Sequence, residues 1–335
     1  MIGVRTTGSF TVRSVAVRSA AALLATVALA TGCSSATGAQ DASGDDADTP
    51  RMTIGMVSHS GDGDTFWDIV QNGAQQAAAK DKVKFLYAHD KEGGQQAALI
   101  QSYIDQKVDG LIVTLAKPQA VKAVVRKAVA RGIPVITINS GGEFSAAYGA
   151  LTHIGQDESV AGRAVGDELN ARRAKKVLCV IHEQGNVSLE DRCAGVRKAF
   201  RGTVENIDVD GTNAPNSQSS IEAKLQSDKS LDAIVTLGAP MAAISLKAKE
   251  EAGSRAQIAT FDLNSAVVKL LKAKDLSFAV DQQPFLQGYE AVDLLWLHKT
   301  NADVLGGGKP VLTGPALVTE KDVPKLTEYT GRGTR

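Results

Sequence analysis

The chain has 335 residues, of which 43% are hydrophobic and 22% are charged, and this composition excludes a disordered or fibrous protein. Lysine plus arginine equals aspartate plus glutamate at 37 each, so no basic surface for nucleic acid is indicated. At this length the chain is long for one domain and sufficient for two, each with its own core.

The N-terminal segment differs from the rest of the chain. Residues 1–32 contain three arginines and no acidic residue, and the apolar run from Ala20 to Ala30 is too short to span a bilayer as a helix. Small residues then lead directly to Cys33, a pattern that resembles the lipobox of bacterial lipoproteins. We therefore expect 1–32 to be a signal peptide and Cys33 to carry a lipid anchor on the outer face of the cell membrane. The alternative is an ordinary secretory signal that is cut nearby, with no role for Cys33.

Residues 33–50 are small and acidic, and none of them after Cys33 has an apolar side chain larger than alanine. Such a segment cannot bury enough apolar surface to fold. We expect it to be a flexible tether between the membrane and the folded part.

From Met52 onward, short runs of apolar and β-branched residues alternate with longer amphipathic stretches. Their nearly continuous hydrophobicity predicts parallel strands that are buried on both faces. The stretch 121–132 places its valines on one face and ends at Gly132, as a helix would. The pattern predicts an α/β fold with right-handed crossovers. The runs are 52–58, 82–88, 110–116, 133–139, 175–181, 231–237 and 257–263.

The segments 109–140 and 231–263 follow the same order of strand, turn with proline, helix, glycine and strand. This repetition predicts two Rossmann-like lobes with parallel sheets, joined by a three-segment hinge. A helix from Pro284 to about Asn301 should return to the first lobe, and a final strand should follow at about 311–319. The crossings are expected near 155–157, 281–283 and 309–311. The first lobe would comprise 51–155 plus 283–309, and the second 156–282 plus 310–335.

Polar and aromatic side chains follow the predicted strands at their carboxyl ends, which is where open parallel sheets bind ligands. Amides, carboxylates and an arginine can bridge hydroxyl groups, while an aromatic ring covers an apolar C–H face. The set therefore predicts a neutral polyhydroxylated ligand. Its members are His59, Asp64, Phe66, Trp67, Asn139, Ser140, Glu183, Asn186, Arg192, Asp262 and Gln282.

Five segments in order resemble the type I periplasmic binding proteins of the ribose-binding group, across almost all of 51–320. They are TIGMVSHSGDGDTFWDIVQNGAQQAA, GIPVITINSG, EDRCAGVRKAF, IATFDL and FAVDQQPFLQGY. The resemblance implies a receptor that closes two lobes around a small sugar and delivers it to a membrane ABC permease, acting as a monomer. It also implies that Phe66 and Trp67 are stacking aromatics, and that Arg192, Asp262 and Gln282 contact the ligand.

The chain also departs from that group at several positions. Asp64 stands where a hydroxyl-binding asparagine is usual, and His59 where a small polar residue is common. Asn139 and Ser140 replace a frequent Asp-Arg pair, and Gly238 stands where an asparagine is often found. These departures argue against ribose and favour a related pentose, an alditol or an inositol-like ligand.

Some residues have simpler structural interpretations. Adjacent helical residues point about 100° apart, so one of Phe66 and Trp67 is expected in the core and the other in the cleft. Arg192 could instead be a surface residue of a helix, and Asp262 could cap a helix from about Ser265. Cys179 and Cys193 form an even pair that permits a disulfide outside the cytoplasm, and the alternative is two buried thiols.

The sequence contains no GxSxG, Walker A, HExxH or GxGxxG motif. His182-Glu183 lacks a second histidine at helical spacing, so no zinc site is expected, and no motif activates a Cys179–His182 pair. We therefore expect no enzyme, cofactor or metal. A sensory receptor of the same fold that feeds a two-component system remains an alternative, as does an exported enzyme acting on a sugar. A sugar-responsive repressor would need a helix-turn-helix where this chain has its export signal.

Overall fold

Parallel strands and helices alternate along the part of the chain that the structure, a computed structural model, describes, namely residues 51–61 and 63–335. The predicted signal peptide, Cys33 and the tether lie outside these residues. The strands form two six-stranded sheets, each covered by helices on both faces. The two-lobed α/β fold is thus confirmed.

The first sheet has the order β11-β5-β4-β3-β1-β2, and all its strands are parallel. Its strands are β1 (Thr53–Ser58), β2 (Lys84–His89), β3 (Gly110–Val113), β4 (Val135–Ile138), β5 (Thr152–Gln156) and β11 (Val311–Gly314). The helices of this lobe are α1 (Thr65–Lys80), α2 (Gly93–Asp105), α3 (Pro118–Ala130), α4 (Gly142–Tyr148) and α10 (Pro284–Asn301).

The second sheet repeats this arrangement with the order β12-β10-β9-β8-β6-β7, and only β12 runs antiparallel to its neighbour. Its strands are β6 (Lys176–Ile181), β7 (Thr203–Asp208), β8 (Ala233–Thr236), β9 (Gln257–Phe261), β10 (Phe278–Asp281) and β12 (Ala316–Val318). The helices are α5 (Glu158–Ala171), α6 (Val187–Ala199), α7 (Ala214–Ser227), α8 (Ala239–Glu251), α9 (Ser265–Ala273) and α11 (Val323–Gly331).

The strands are apolar throughout because each sheet has a core on both faces. Ile54 and Met56 of β1 belong to one buried cluster, whereas Val57 packs with Leu111 in another on the opposite face. The second sheet repeats the pattern, with Val180 in one cluster and Cys179 in the other. Alternation of side chains along a strand explains this division.

The chain crosses between the sheets after β5, after β10 and between β11 and β12. The prediction of one final strand at 311–319, entered from a crossing near 309–311, is wrong. Val311–Gly314 stays with β5 in the first sheet, and only Ala316–Val318 joins the second. Pro315 separates the two strands, because a proline has no N–H to donate to a continuing ladder. Residues 311–314 therefore pair within the first lobe, not the second.

Helices α1 and α10 pack closely through glycines. A Cβ atom added to Gly73 would lie 2.0 Å from the carbonyl oxygen of Phe285, and one added to Gly288 would lie 2.0 Å from that of Val70. Both contacts are with backbone, which cannot move aside as a side chain can. The two glycines therefore bring α10 against α1 and so hold the returning helix in the first lobe.

We expect Gly73→Ala to lower the free energy of unfolding by about 1–3 kcal/mol, because the added methyl group forces the two backbones apart. Gly94→Ala in α2 is the matched control, since an added Cβ there meets nothing within 4 Å. The control should gain about 0.4–1 kcal/mol from the reduced entropy of the unfolded chain. Urea unfolding measures both, and equal stability of the two variants would contradict the close helix contact.

Cys179 on β6 and Cys193 on α6 are joined by a disulfide, with their Cα atoms 6.0 Å apart. Both residues are fully buried in the same core cluster. Alkylation of the denatured, unreduced protein is expected to modify neither cysteine, and alkylation after reduction both. Reduction should cost about 3 kcal/mol of stability for a loop of this length. Two alkylated cysteines without reduction would instead mean two buried thiols.

Candidate ligand-binding site

Two neighbouring cavities lie between the lobes. The inner cavity has a volume of about 40 Å³ and the outer one about 610 Å³. Every binding residue predicted from the sequence lines the inner cavity. The charged groups of both lobes converge on the inner cavity, which is too small by itself for a sugar ring, so we take the inner cavity together with the adjoining end of the outer cavity as the candidate site. The inner cavity is also lined by Ser188, Leu189 and Leu237, which sequence reasoning missed, and by His182 and Gly238, which the sequence placed after strands but not among the binding residues.

Arg192 on α6 is held by a buried carboxylate. Its Nε donates to Glu158 Oε2 at 2.6 Å, its Nη2 to Glu158 Oε1 at 2.9 Å, and its Nη1 to the carbonyl of Leu237 at 2.8 Å. The guanidinium also lies 4.7 Å from the centre of the Phe261 ring. Three of its five N–H groups are used in this way, so two remain for a ligand. Arg192 is therefore not a surface residue, and only part of its guanidinium group is available to donate hydrogen bonds to a ligand.

Glu158 was not predicted as a functional residue. It begins α5 immediately after the first crossing, and Gln156 donates to its Oε2 at 2.9 Å. Burial raises the pKa of the Glu158 carboxyl, and the charge and hydrogen bonds of Arg192 oppose this rise. In the sequence, Glu158 is only an acidic residue next to the predicted hinge, and this position does not indicate that it pairs with Arg192.

Asp262 follows β9 and faces the same arginine. Its Oδ1 accepts from Gln282 Nε2 at 2.6 Å, and its Oδ2 lies 3.9 Å from Arg192 Nη1. Burial raises the pKa of Asp262 to about 7, against the lowering effects of Arg192 and Gln282. The prediction that Asp262 also caps a helix is wrong, because Asn264 Oδ1 caps α9 by accepting from Val267 N.

A chain of amides links the lobes across the second crossing. Ser140 Oγ donates to Asn139 Oδ1 at 2.7 Å, and Asn139 Nδ2 donates to Gln282 Oε1 at 3.2 Å. Gln287 Nε2 also donates to Gln282 Oε1, at 3.0 Å, which orients the amide so that its nitrogen faces Asp262. Asn139 and Asp262 occupy corresponding ends of β4 and β9, and both adopt positive φ angles (62° and 69°), which asparagine and aspartate tolerate better than most residues.

His59 forms part of the cavity wall and touches both lobes. Its Nδ1 lies 2.8 Å from Thr114 Oγ1, and its Nε2 lies 3.3 Å from Asn186 Nδ2 in the second lobe. Burial, followed by the charge of Lys117, lowers the pKa of His59 to about 3, so the ring is neutral. Asn186 also caps α6 and donates to Glu183 Oε2 at 3.0 Å.

Two further contacts join the lobes near His59. The backbone N–H of Val187 donates to the carbonyl of Ala116 at 3.1 Å. Lys117 Nζ lies 3.9 Å from Glu183 Oε1. We call these two contacts and the His59–Asn186 contact the lobe–lobe contacts. They bring atoms of the two walls of the site to within 3.1–3.9 Å of each other.

Asp64, Phe66 and Trp67 form the start of α1. Asp64 Oδ1 accepts from Phe66 N at 3.1 Å and caps the helix, and burial raises the pKa of Asp64 to about 6. The rings of Phe66 and Trp67 meet edge to face, with centroids 5.2 Å apart. The expected division into one core ring and one cleft ring is not seen, since both belong to the core cluster and both line the inner cavity.

Within residues 51–61 and 63–335, no three His, Cys, Asp or Glu side chains are grouped to hold a metal ion. The groups that meet in the inner cavity are hydrogen-bonding amides, carboxylates and one guanidinium beside aromatic rings. This arrangement can bind a polar ligand through hydrogen bonds and cover its apolar face.

Comparison with known proteins identifies the family. Residues 54–302 match the family described as the periplasmic binding protein domain. The chain belongs to this family, and it is therefore a binding protein rather than an enzyme, with a location outside the cytoplasm. The ribose import binding protein RbsB of Bacillus subtilis is 25% identical over 254 residues, which cover 72% of this chain and 80% of that protein.

Two solved structures are also similar to this chain. A carbohydrate transporter from Acidothermus cellulolyticus 11B, in complex with myo-inositol, is 45% identical. The match covers 85% of this chain and 100% of that one, with a TM-score of 0.84. An ABC transporter solute-binding protein from Burkholderia graminis C4D1M, in complex with D-arabinose, is 25% identical. It covers 82% of this chain and 97% of that one, with a TM-score of 0.73.

Proposed function

We propose that the protein is a lipid-anchored receptor of an ABC importer, and that it binds a small neutral polyol or sugar, with an inositol-like ring as its preferred ligand class. The observation that carries the proposal is the convergence of polar groups from both lobes and the hinge on the inner cavity. Similarity to a protein in complex with myo-inositol supports the ligand class.

The charges of the site favour a neutral ligand. Arg192 is already paired with Glu158, while Asp64 and Asp262 add further carboxyl groups around the same cavity. An anionic group of a ligand in the inner cavity would meet these carboxyl groups, and the one lysine or arginine among the described residues lining that cavity, Arg192, is already paired with Glu158. Hydroxyl groups can donate to the carboxylates and accept from the two remaining N–H groups of Arg192.

The ligand is tested by thermal denaturation of the purified protein, followed by calorimetry. The panel comprises myo-inositol, scyllo-inositol, xylitol, D-ribose, D-arabinose and myo-inositol 1-phosphate. A ligand that binds only the folded protein raises the melting temperature by mass action. We expect the largest rise with an inositol and none with the phosphate. No rise with any neutral polyol or sugar would overturn the proposal.

Membrane attachment is proposed to depend on Cys33. No helix in the described part of the chain is long and apolar enough to cross a bilayer. A diacylated cysteine gives stable anchoring where a single acyl chain does not. We expect Cys33→Ala to move the exported protein from the membrane fraction to the soluble fraction, as judged by immunoblotting. A Cys33→Ala protein that stays in the membrane fraction would contradict the anchor. We also expect the receptor to be a monomer, which sedimentation would show.

A further inference from the structure

His182 lies at the junction of the two cavities and lines both of them. It follows β6, at the carboxyl end of the second sheet. Its ring lies between two glycines. A Cβ atom added to Gly238 would lie 3.0 Å from His182 Cε1 and 3.2 Å from Nε2, and one added to Gly211 would lie 3.1 Å from Cδ2. The imidazole thus occupies space that a side chain at position 238 would otherwise take.

The polar atoms of this ring are not fully used by the protein. His182 Nδ1 is buried and has no hydrogen-bond partner among the described residues. Ser188 Oγ lacks a hydrogen bond in the same way and its residue also lines the inner cavity, whereas Glu183 Oε1 has Lys117 Nζ at 3.9 Å. Buried polar atoms are nearly always paired, so a ligand hydroxyl group that pairs with His182 Nδ1 would remove one such exception at this cavity.

The ring is uncharged, which determines what it can bind. Burial, with smaller contributions from Arg192 and His59, lowers the pKa of His182 to about 4. A neutral imidazole has one donor and one acceptor nitrogen, and a hydroxyl group can both donate and accept. A hydroxyl group can therefore pair with His182 Nδ1 whether this nitrogen is the donor or the acceptor. An ammonium group could pair only with the acceptor form, and a carboxylate only with the donor form.

We propose that His182 is a ligand-contacting, specificity-determining residue that exchanges a hydrogen bond with one hydroxyl group of the polyol. Gly238 and Gly211 provide the space that lets the ring reach the junction of the cavities. This inference rests on the proposed function, because it presupposes a hydroxylated ligand that spans the inner cavity and the adjoining end of the outer one. It adds that one hydroxyl group of that ligand is recognised through a hydrogen bond with an uncharged side chain at the junction of the two cavities.

The test compares wild type and His182→Ala by calorimetry, with myo-inositol and each of its monodeoxy analogues as ligands. Loss of one neutral hydrogen bond should weaken myo-inositol binding about two- to tenfold. One monodeoxy analogue, lacking the hydroxyl group in question, should bind both proteins equally. The other analogues should bind His182→Ala more weakly than wild type.

Gly238→Ala provides a second variant that keeps the histidine but displaces its ring. It should weaken myo-inositol binding in the wild-type background and have no effect in the His182→Ala background, because the two changes act on one contact. Gly94→Ala, remote from the cavity, is the control and should bind as wild type. Melting temperatures of the ligand-free variants establish that each is folded.

The outcomes separate the two proposals. If wild type binds none of these polyols, the proposed function fails and this inference fails with it. If wild type binds myo-inositol, and His182→Ala binds each ligand with the same affinity as wild type does, only this inference is overturned.

Discussion

Replacing Arg192 with methionine is expected to lower the free energy of unfolding by about 3–5 kcal/mol, because it leaves the buried carboxylate of Glu158 without its partner. The side chains of Arg192 and Glu158 are only 3% and 7% exposed. From sequence alone, Arg192 is a ligand contact whose loss should weaken binding and leave the fold intact. The structure changes that expectation, and urea unfolding of the ligand-free variant at neutral pH measures it.

The matched control is the double variant Glu158→Leu, Arg192→Met. Replacing a whole buried ion pair with apolar side chains is often neutral or stabilising, so the double variant should regain most of the stability. It should not regain ligand affinity, since the donors of Arg192 are gone. The loss in the single variant should also shrink at low pH, where Glu158 takes up a proton. A single variant as stable as wild type would contradict the buried pair.

Above the Asp262 pKa of about 7, where the carboxyl group is ionised, Asp262→Asn is expected to weaken ligand binding about ten- to a hundredfold, which corresponds to the loss of one charged hydrogen bond of about 1.5–3 kcal/mol. The amide has nearly the same shape as the carboxyl group, so the fold should be preserved. Calorimetry with the best ligand of the panel measures the change. Asn264→Ala, which removes the neighbouring helix cap, is the control and should lower stability more than affinity.

The same variant has a consequence for the dependence of stability on pH. The pKa of Asp262 is raised from 3.8 to about 7 in the folded protein, so the folded state holds a proton that the unfolded chain releases in between. Stability therefore falls as pH rises from about 4 to about 7. Asp262→Asn should remove this part of the slope. Asp64, with its pKa raised to about 6, leaves a smaller slope of the same sign. Melting temperatures across this range that fall equally steeply in both proteins would contradict the assignment.

The sheets were largely predictable because central parallel strands are apolar on both faces. β7 was missed because it is not such a strand: it lies at an edge of the second sheet, and its residues Thr203–Asp208 are partly buried or exposed. The split between β11 and β12 was also missed, since the run on either side of Pro315 has the composition of one strand. Edges and crossings depend on contacts that local hydrophobicity does not encode.

The cavity lining was predictable for a topological reason. Parallel strands bring their carboxyl ends to one edge, so polar residues that follow different strands must meet there. The partner of Arg192 was not predictable, because Glu158 is 34 positions away and the pair depends on how closely α5 approaches α6. That approach rests on Gly162 and Gly195, where an added Cβ would lie 2.2 Å and 2.6 Å from backbone oxygens of the facing helix. The orientation of His182 likewise depends on two distant glycines.

The lobe–lobe contacts have a consequence for the kinetics of ligand capture. Each of them forms between protein atoms alone, so in the predicted opening and closing of the lobes each should lower the free energy of a closed form relative to an open one even before a ligand arrives. A larger closed population leaves fewer open molecules for a ligand to enter, which slows association. It also means that less of the binding energy is needed to close the lobes, so dissociation is slowed as well. Weakening the His59–Asn186 contact should therefore increase both the association rate and the dissociation rate of the ligand, and should change the affinity, which is their ratio, less than either rate.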